Sequence, residues 1–305
     1  MIEIRRILCP VDFSDYSRRA LEHCNAIARR HRSTVTVLHV FSAAPAAAFG
    51  PGQIAFEPYV LMTPIERDQL VADTRAFAEA AGAPGVAIEA VIREGNTAAE
   101  ILGQATSMKP DLLVMGTHGR SGFERFVLGS VAEKVLRHAC CPVMTVPRGR
   151  PDAMPGGPGL YKQVLCPVDF SESSLHALTY AMSIAKEGAG QLTVLHVVAH
   201  EFEYEAGIEY DRRMTVEDFL AKREEALRRR LQEAVADVSE SCSVEPLTTH
   251  GKPWREVLRV AAERQNDLIV MGVHGRGVAD LLFFGSTTQH VVRQASCPVL
   301  TLRHA

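Results

Sequence analysis

The chain has 305 residues, the length of two domains of roughly 150 residues each, and its 47% hydrophobic and 23% charged content is that of a globular rather than a disordered protein. A formal net charge of −3 supplies no global basic field for nucleic acid or an acidic membrane surface. No apolar run approaches the ~18 residues of a membrane span, the opening MIEIRRILCPVDF has no signal-peptide pattern, and seven cysteines suit a reducing, cytoplasmic setting better than a disulfide framework.

In chain order, short runs rich in Val, Ile and Leu predict strands over Ile4–Pro10, Val35–Val40, Val86–Ile92, Asp111–Met115 and Pro142–Val146. Near-continuous apolar runs suit strands buried on both faces of a parallel sheet. Between the first two, Ser17, Ala20, Leu21, Cys24, Ile27 and Ala28 share one helical face, and Ala98, Ile101, Leu102 and Ala105 do so before the fourth. Ser14 stands where a helix N-cap is wanted, with Asp15 after it. The stretch Ser42–Pro64 is irregular, rich in Ala and Pro, and its Phe49, Phe56 and Tyr59 either cover a pocket or anchor a loop. Arg148–Gly159 holds four glycines and three prolines in RGRPDAMPGGPG, too many for a helix or central strand. The expected organisation is therefore a first domain over 1–147, a linker over 148–160 and a second domain over 161–305.

Beyond the linker the chain repeats itself. Residues 5–41 align without a gap on 162–198, with 17 of 37 positions identical. LCPVDFS recurs at Leu8–Ser14 and Leu165–Ser171, TVLHV at Thr36–Val40 and Thr193–Val197, and MGTHGR (Met115–Arg120) faces MGVHGR (Met271–Arg276). So long a period means tandem domains rather than a solenoid. The second copy repeats the helical faces, with Ala177, Leu178, Ala181, Ile184 and Ala185, then Trp254, Val257, Leu258 and Ala261. Alternating strands and helices imply an α/β fold, one doubly wound sheet per half with helices on both faces.

In such sheets ligands sit beyond the carboxyl ends of the strands, where strand order reverses. Asp12 and Asp169 follow the first strand of each copy, and a glycine loop follows the fourth. Gly116, two residues, Gly119, nine residues and Gly129-Ser130 follow one another, as do Gly272, Gly275 and Gly285-Ser286 at the same spacing. Glycines let successive N–H groups converge on phosphate oxygens, and a helix opening at Ser130 or Ser286 adds a positive dipole end and a hydroxyl. The pattern is neither the Walker loop nor the G-x-G-x-x-G of dinucleotide folds. Within the loops, His118, His274, Arg120 and Arg276 are either phosphate-facing groups or solvated side chains. His39 and His196, in the second strands, read as satisfied core histidines, and Cys9, Cys166, Cys141 and Cys297 as buried thiols without metal-ligand spacing.

PVDFS after strand one, LHV ending strand two and G-2x-G-9x-G-[ST] before the last helix resemble the nucleotide-binding class of the universal stress protein family, over nearly all of both halves. The resemblance implies a five-stranded parallel sheet per half and ATP, with or without magnesium, at each site. It places Pro10, Asp12 and the Val40 backbone against adenosine, with Met115, Gly116, His118, Gly119, Arg120, Gly129, Ser130 and Val131 toward ribose and phosphates. Pro167, Asp169, Val197, Met271, Gly272, His274, Gly275, Arg276, Gly285, Ser286 and Thr287 repeat them. The expected function is an ATP-holding stress-response regulator. No catalytic residue or metal ligand is assigned, and the enzyme alternative is slow ATP hydrolysis or nucleotidyl transfer on the same scaffold. With a strand order of 3-2-1-4-5 the fifth strand is an edge, and the apolar PVMTV and PVLTL suggest an internal pseudo-dimer through these strands, with homo-oligomers also open.

Overall fold

The computed structural model describes residues 2–41, 62–82, 84–118, 128–147, 160–199, 215–235, 243–273 and 285–303. It divides into two compact units, Glu3–Arg148, and Gly149–Ala305 with Met1–Ile2. The first unit runs β1 (Arg6–Val11), α1 (Asp15–His31), β2 (Thr34–Phe41), α2 (Pro64–Ala80), β3 (Ala87–Glu94), α3 (Thr97–Met108), β4 (Leu112–Gly116), α4 (Ser130–His138) and β5 (Val143–Val146). The second runs β6 (Gln163–Pro167), α5 (Glu172–Gly188), β7 (Gln191–Val198), α6 (Val216–Val235), β8 (Ser243–His250), α7 (Pro253–Glu263), β9 (Leu268–Gly272), α8 (Ser286–Gln294) and β10 (Val299–Leu302).

Within the first unit every described pairing is parallel and the row reads β3-β2-β1-β4-β5. The second unit repeats it as β8-β7-β6-β9-β10. Strand order thus reverses beside β1 and β4, and beside β6 and β9, which is where doubly wound sheets open a crevice.

Local chemistry explains where elements begin. β1 starts at Arg6 rather than Ile4, because the Asp111 carboxylate accepts the N–H groups of Arg5 and Arg6, each at 2.8 Å. Asp267 does the same for Lys162 (2.7 Å) and Gln163 (3.0 Å); burial pushes its carboxyl up, and these two bonds oppose that shift. Ser14 and Ser171 cap α1 and α5 by accepting from the N–H of Ser17 and Ser174. Phe49, Phe56 and Tyr59 of the irregular stretch lie outside the described residues; at its end Thr63 and Glu66 form a capping box around Pro64, which opens α2.

One expectation is corrected by the sheet. The third apolar run is not buried on both faces; in β3 only Ile92 is fully buried. β3 ends the row with β2 beside it, so its Glu89, Arg93 and Glu94 reach water while the inner strands stay dry. Cys9, Cys166 and Cys297 are buried free thiols as expected and Cys24 on α1 is another, but Cys141 is only half-buried. Burial pushes the Cys141 and Cys297 thiols up to about 12, which keeps them unreactive. No described helix is long and apolar enough to cross a membrane.

A buried histidine ties this fold to pH. His23 on α1 is 2% exposed, and burial, followed by the charge of Arg19, lowers its pKa from 6.5 to about 4. The folded ring stays neutral down to about 4, whereas the unfolded one takes a proton below 6.5. Stability is therefore complete above pH 6.5 and falls toward pH 4, by on the order of 3 kcal/mol from this residue. Urea unfolding of wild type and His23→Gln at pH 7 and 4.5 checks this. The wild type is expected to lose more on acidification, and equal losses would refute the assignment.

Candidate functional site

At the carboxyl ends of β1, β2 and β4 the first unit encloses a cavity of about 310 Å³. Pro10, Asp12, Val40, Met115, Gly116, His118, Gly129, Ser130 and Val131, all singled out by the sequence, line it together. Gly119 and Arg120 lie outside the described residues. The cavity also takes in Ser17, Leu38, Thr97, Ile101 and Thr117, which sequence reasoning did not assign to a site. Ile101 was visible only as part of a helical face. Thr97 follows the turn at Gly95 and Asn96, whose side chain caps α3 by accepting from the Ala99 N–H.

Asp12 is shaped by the turn that carries it. Its Oδ1 accepts the N–H of Ser14 at 3.1 Å and the Ser14 hydroxyl at 2.5 Å. Between them Phe13 adopts φ 63°, a left-handed conformation unfavourable for a bulky side chain by about 1–2 kcal/mol. Its ring offsets this by packing at 4.7 Å from His39 and 5.3 Å from Phe77. His39 Nδ1 lies 2.8 Å from the Val11 carbonyl, so the ring donates there and locks the end of β1. The second unit repeats the turn: Asp169 accepts from Ser171 (3.0 and 2.6 Å), Phe170 has φ 62°, and His196 Nδ1 bonds Val168 at 2.7 Å, while Arg230 lies over the Phe170 ring at 4.2 Å where the first unit sets Phe77 on Phe13. The strand-two histidines, His39 half-buried and His196 buried, hold the aspartate turn through Nδ1.

The glycine spacing has two physical causes. Gly116 is required by packing: a Cβ there would stand 2.8 Å from Tyr16 Cβ, where α1 crosses β4. Gly272 meets Ser173 in the same way, at 2.7–2.9 Å. Gly129 instead closes the loop, donating its N–H to the Thr117 carbonyl at 2.9 Å, while Thr117 donates to Val146 at 3.1 Å. The ends of the loop therefore meet at the mouth of β4. Helix α4 opens there without a side-chain cap, and its first internal bond runs from Glu133 N–H to Gly129. The N–H groups of Ser130, Val131 and Ala132 precede that bond and belong to cavity-lining residues, so the positive end of the helix suits an anion.

In the second unit Pro167 ends β6, Val197 lies in β7, and Met271 and Gly272 end β9. Gly285 donates to the Val273 carbonyl at 3.0 Å and precedes α8, which carries Ser286 and Thr287 at its start, again without a side-chain cap. His274, Gly275 and Arg276 lie outside the described residues. The two units differ at several polar positions around the site, among them the buried threonines. The buried hydroxyl of Thr117 has Val273 as its counterpart, and the second unit places a hydroxyl at Thr288 instead, donating to Gly272 O at 3.0 Å. Among the described residues no cluster of three His, Cys, Asp or Glu side chains could hold a metal ion.

Comparison with known proteins agrees with this architecture. A model described as Universal stress protein family matches residues 3–147 and again 160–303. A universal stress protein of Methanocaldococcus jannaschii is 35% identical over 142 residues, 47% of this chain and 81% of that protein. One from Thermus aquaticus is 33% identical over 152 residues, 47% of this chain and all of that protein. The crystal structure of a universal stress protein from Archaeoglobus fulgidus superposes with a TM-score of 0.69 at 23% identity, covering 98% of each chain, and shares the fold.

Proposed function

The chain belongs to the universal stress protein family, and from that premise we propose that each half binds one adenine nucleotide, ATP or a close relative, as the ligand of a stress-response regulator. The observation that carries the reading is the composition of the 310 Å³ cavity, apolar at one part and anion-seeking at another. Leu38, Val40, Ile101 and Met115 offer apolar walls to a base, and Asp12 offers a carboxylate to sugar hydroxyls. The open start of α4, with the Ser130 hydroxyl, suits phosphate oxygens, and the matched start of α8 supports the same role at Ser286. ATP bound there would supply the negative charge that these N–H groups and dipoles are arranged to meet.

Calorimetry on the full chain tests the reading, together with mass spectrometry of whatever a denatured sample releases. Two equivalents of ATP per chain, or release of an adenine nucleotide, are expected. Absence of both, with guanine nucleotides and adenosine also failing to bind, would remove nucleotide binding from the protein.

A further inference from the structure

The duplication did not copy every cysteine. Cys9 and Cys141 recur as Cys166 and Cys297, whereas Cys24 and Cys140 have Ala181 and Ser296 as counterparts. Each extra cysteine of the first half stands against a shared one, with a thiol–thiol hydrogen bond joining Cys24 to Cys9 and Cys140 to Cys141. The Cys9–Cys24 pair is sealed in the core. The Cys140–Cys141 pair is open to solvent, with Cys140 exposed and Cys141 half-buried. In the second half Ser296 is exposed but Cys297 is only 5% so, which leaves no reachable pair at that position. The two thiols follow Ala139, which ends α4, and precede β5, so they lie at the amino ends of the strands, away from the cavity at the carboxyl ends.

We propose that Cys140 and Cys141 form a chelating site for a soft, thiophilic centre held by two thiolates, such as a monosubstituted trivalent arsenical. Thiolates select soft centres over hard, oxygen-seeking cations. Among the described residues no third His, Cys, Asp or Glu completes a metal site there, so an ion that takes four protein ligands, such as structural zinc, is not served. Two bonds of about 2.3 Å from one centre set its sulfurs about 3.8 Å apart, the spacing of thiols in contact, whereas a disulfide draws them to about 2.05 Å. Pro142 restricts Cys141 to extended backbone, and its own carbonyl accepts the Leu113 N–H at 2.9 Å, which braces the pair against that tighter closure. Capture begins at exposed Cys140, because burial leaves Cys141 a poor nucleophile by itself. The second bond is then intramolecular, and such linkage strengthens retention by roughly 10²–10⁴-fold. With an arsine oxide, R–As=O, each thiol gives up its proton and each sulfur bonds arsenic, while the oxygen leaves with both protons as water. Arsenic stays trivalent, and no oxidant or reductant enters.

The test uses the folded full chain, reduced and then freed of reductant, with phenylarsine oxide as the probe and intact mass spectrometry as the readout. One phenylarsenic group per chain is expected to survive excess 2-mercaptoethanol and to leave on addition of 2,3-dimercaptopropanol. After trypsin it should map to the peptide 138–148, with both thiols shielded from iodoacetamide. Cys140→Ser copies the serine that the second half carries at Ser296, so the fold tolerates it, and it should lower retention about a hundredfold or more. Cys141→Ser should do the same, since either change leaves a single thiol that a monothiol competes away. A wild-type adduct that 2-mercaptoethanol strips would overturn the proposal, because it would mean that only one sulfur is engaged. Full retention in Cys140→Ser would overturn it too, by placing the arsenic on other cysteines. Neither arm involves the cavity, so the outcome is independent of the nucleotide reading.

Discussion

Gly116→Val is expected to destabilise the first half by on the order of 4 kcal/mol without any nucleotide present, while Gly103→Ala stabilises the same half by about 1 kcal/mol. The sites differ in what a side chain would meet. At Gly116 even the first added carbon stands 2.8 Å from Tyr16 Cβ and 3.1 Å from its backbone carbon, so α1 must move off β4. Neither contact is the free end of a flexible side chain, and the surrounding core of Leu8, Leu21 and Leu113 is fully buried. Overpacking that forces backbone apart lies at the upper end of measured single-site losses, and the branched Val adds two further methyls. Gly103 lies in α3 with nothing within 4 Å, so Ala there only recovers helix propensity. Gly272→Val should repeat the loss in the second half, against Ser173 Oγ, C and O at 2.7–2.9 Å. Denaturant unfolding of nucleotide-free protein measures all three. A Gly116→Val protein as stable as wild type would show that this glycine serves the ligand rather than the packing of α1 on β4.

That result would also mark where sequence reasoning stops. Strands, helix faces and the Ser14 and Ser171 caps were legible because each depends on residues close in the chain. The matched spacing of Gly116, Gly129 and Ser130 was legible because duplication shows which positions recur together. Why Gly116 must be glycine was not, since its partner Tyr16 is a hundred residues away and only the fold brings them together. The left-handed Phe13 was equally hidden: no local rule favours a bulky residue there, and the support comes from His39 and Phe77 on other elements. Exposure of β3 needed the row order, because its AIEAVIRE sequence is compatible with either an inner or an outer strand. The cavity followed the same division. Residues on the repeated motifs were found, whereas Thr97 and Thr117 entered through the packing of α3 and through the hydrogen bond between Gly129 and Thr117.

Ser130→Asp with Ser286→Asp is expected to weaken ATP binding at least a hundredfold while leaving thermal stability unchanged or slightly raised. The opposite signs follow from one location. Both serines are the first residue of an uncapped helix, where a carboxylate favours the positive dipole end by about 0.3–1 kcal/mol. Ser130 is exposed at that end and lines the cavity, so the new carboxylate fits without displacing core atoms. For an incoming phosphate the same carboxylate is a like charge at about 4 Å, worth roughly 4 kcal/mol at the effective dielectric near a protein surface, and it occupies the N–H groups that the phosphate needs. The folded state and the ligand thus compete for one anion site, and the variant gives that site to the protein. Adenosine, which carries no phosphate, should keep its affinity, separating a blocked phosphate position from a collapsed cavity. Calorimetry with both ligands and a thermal melt on the same preparation read all the signs. Full-strength ATP binding by the double variant would show that the starts of α4 and α8 do not receive the phosphates.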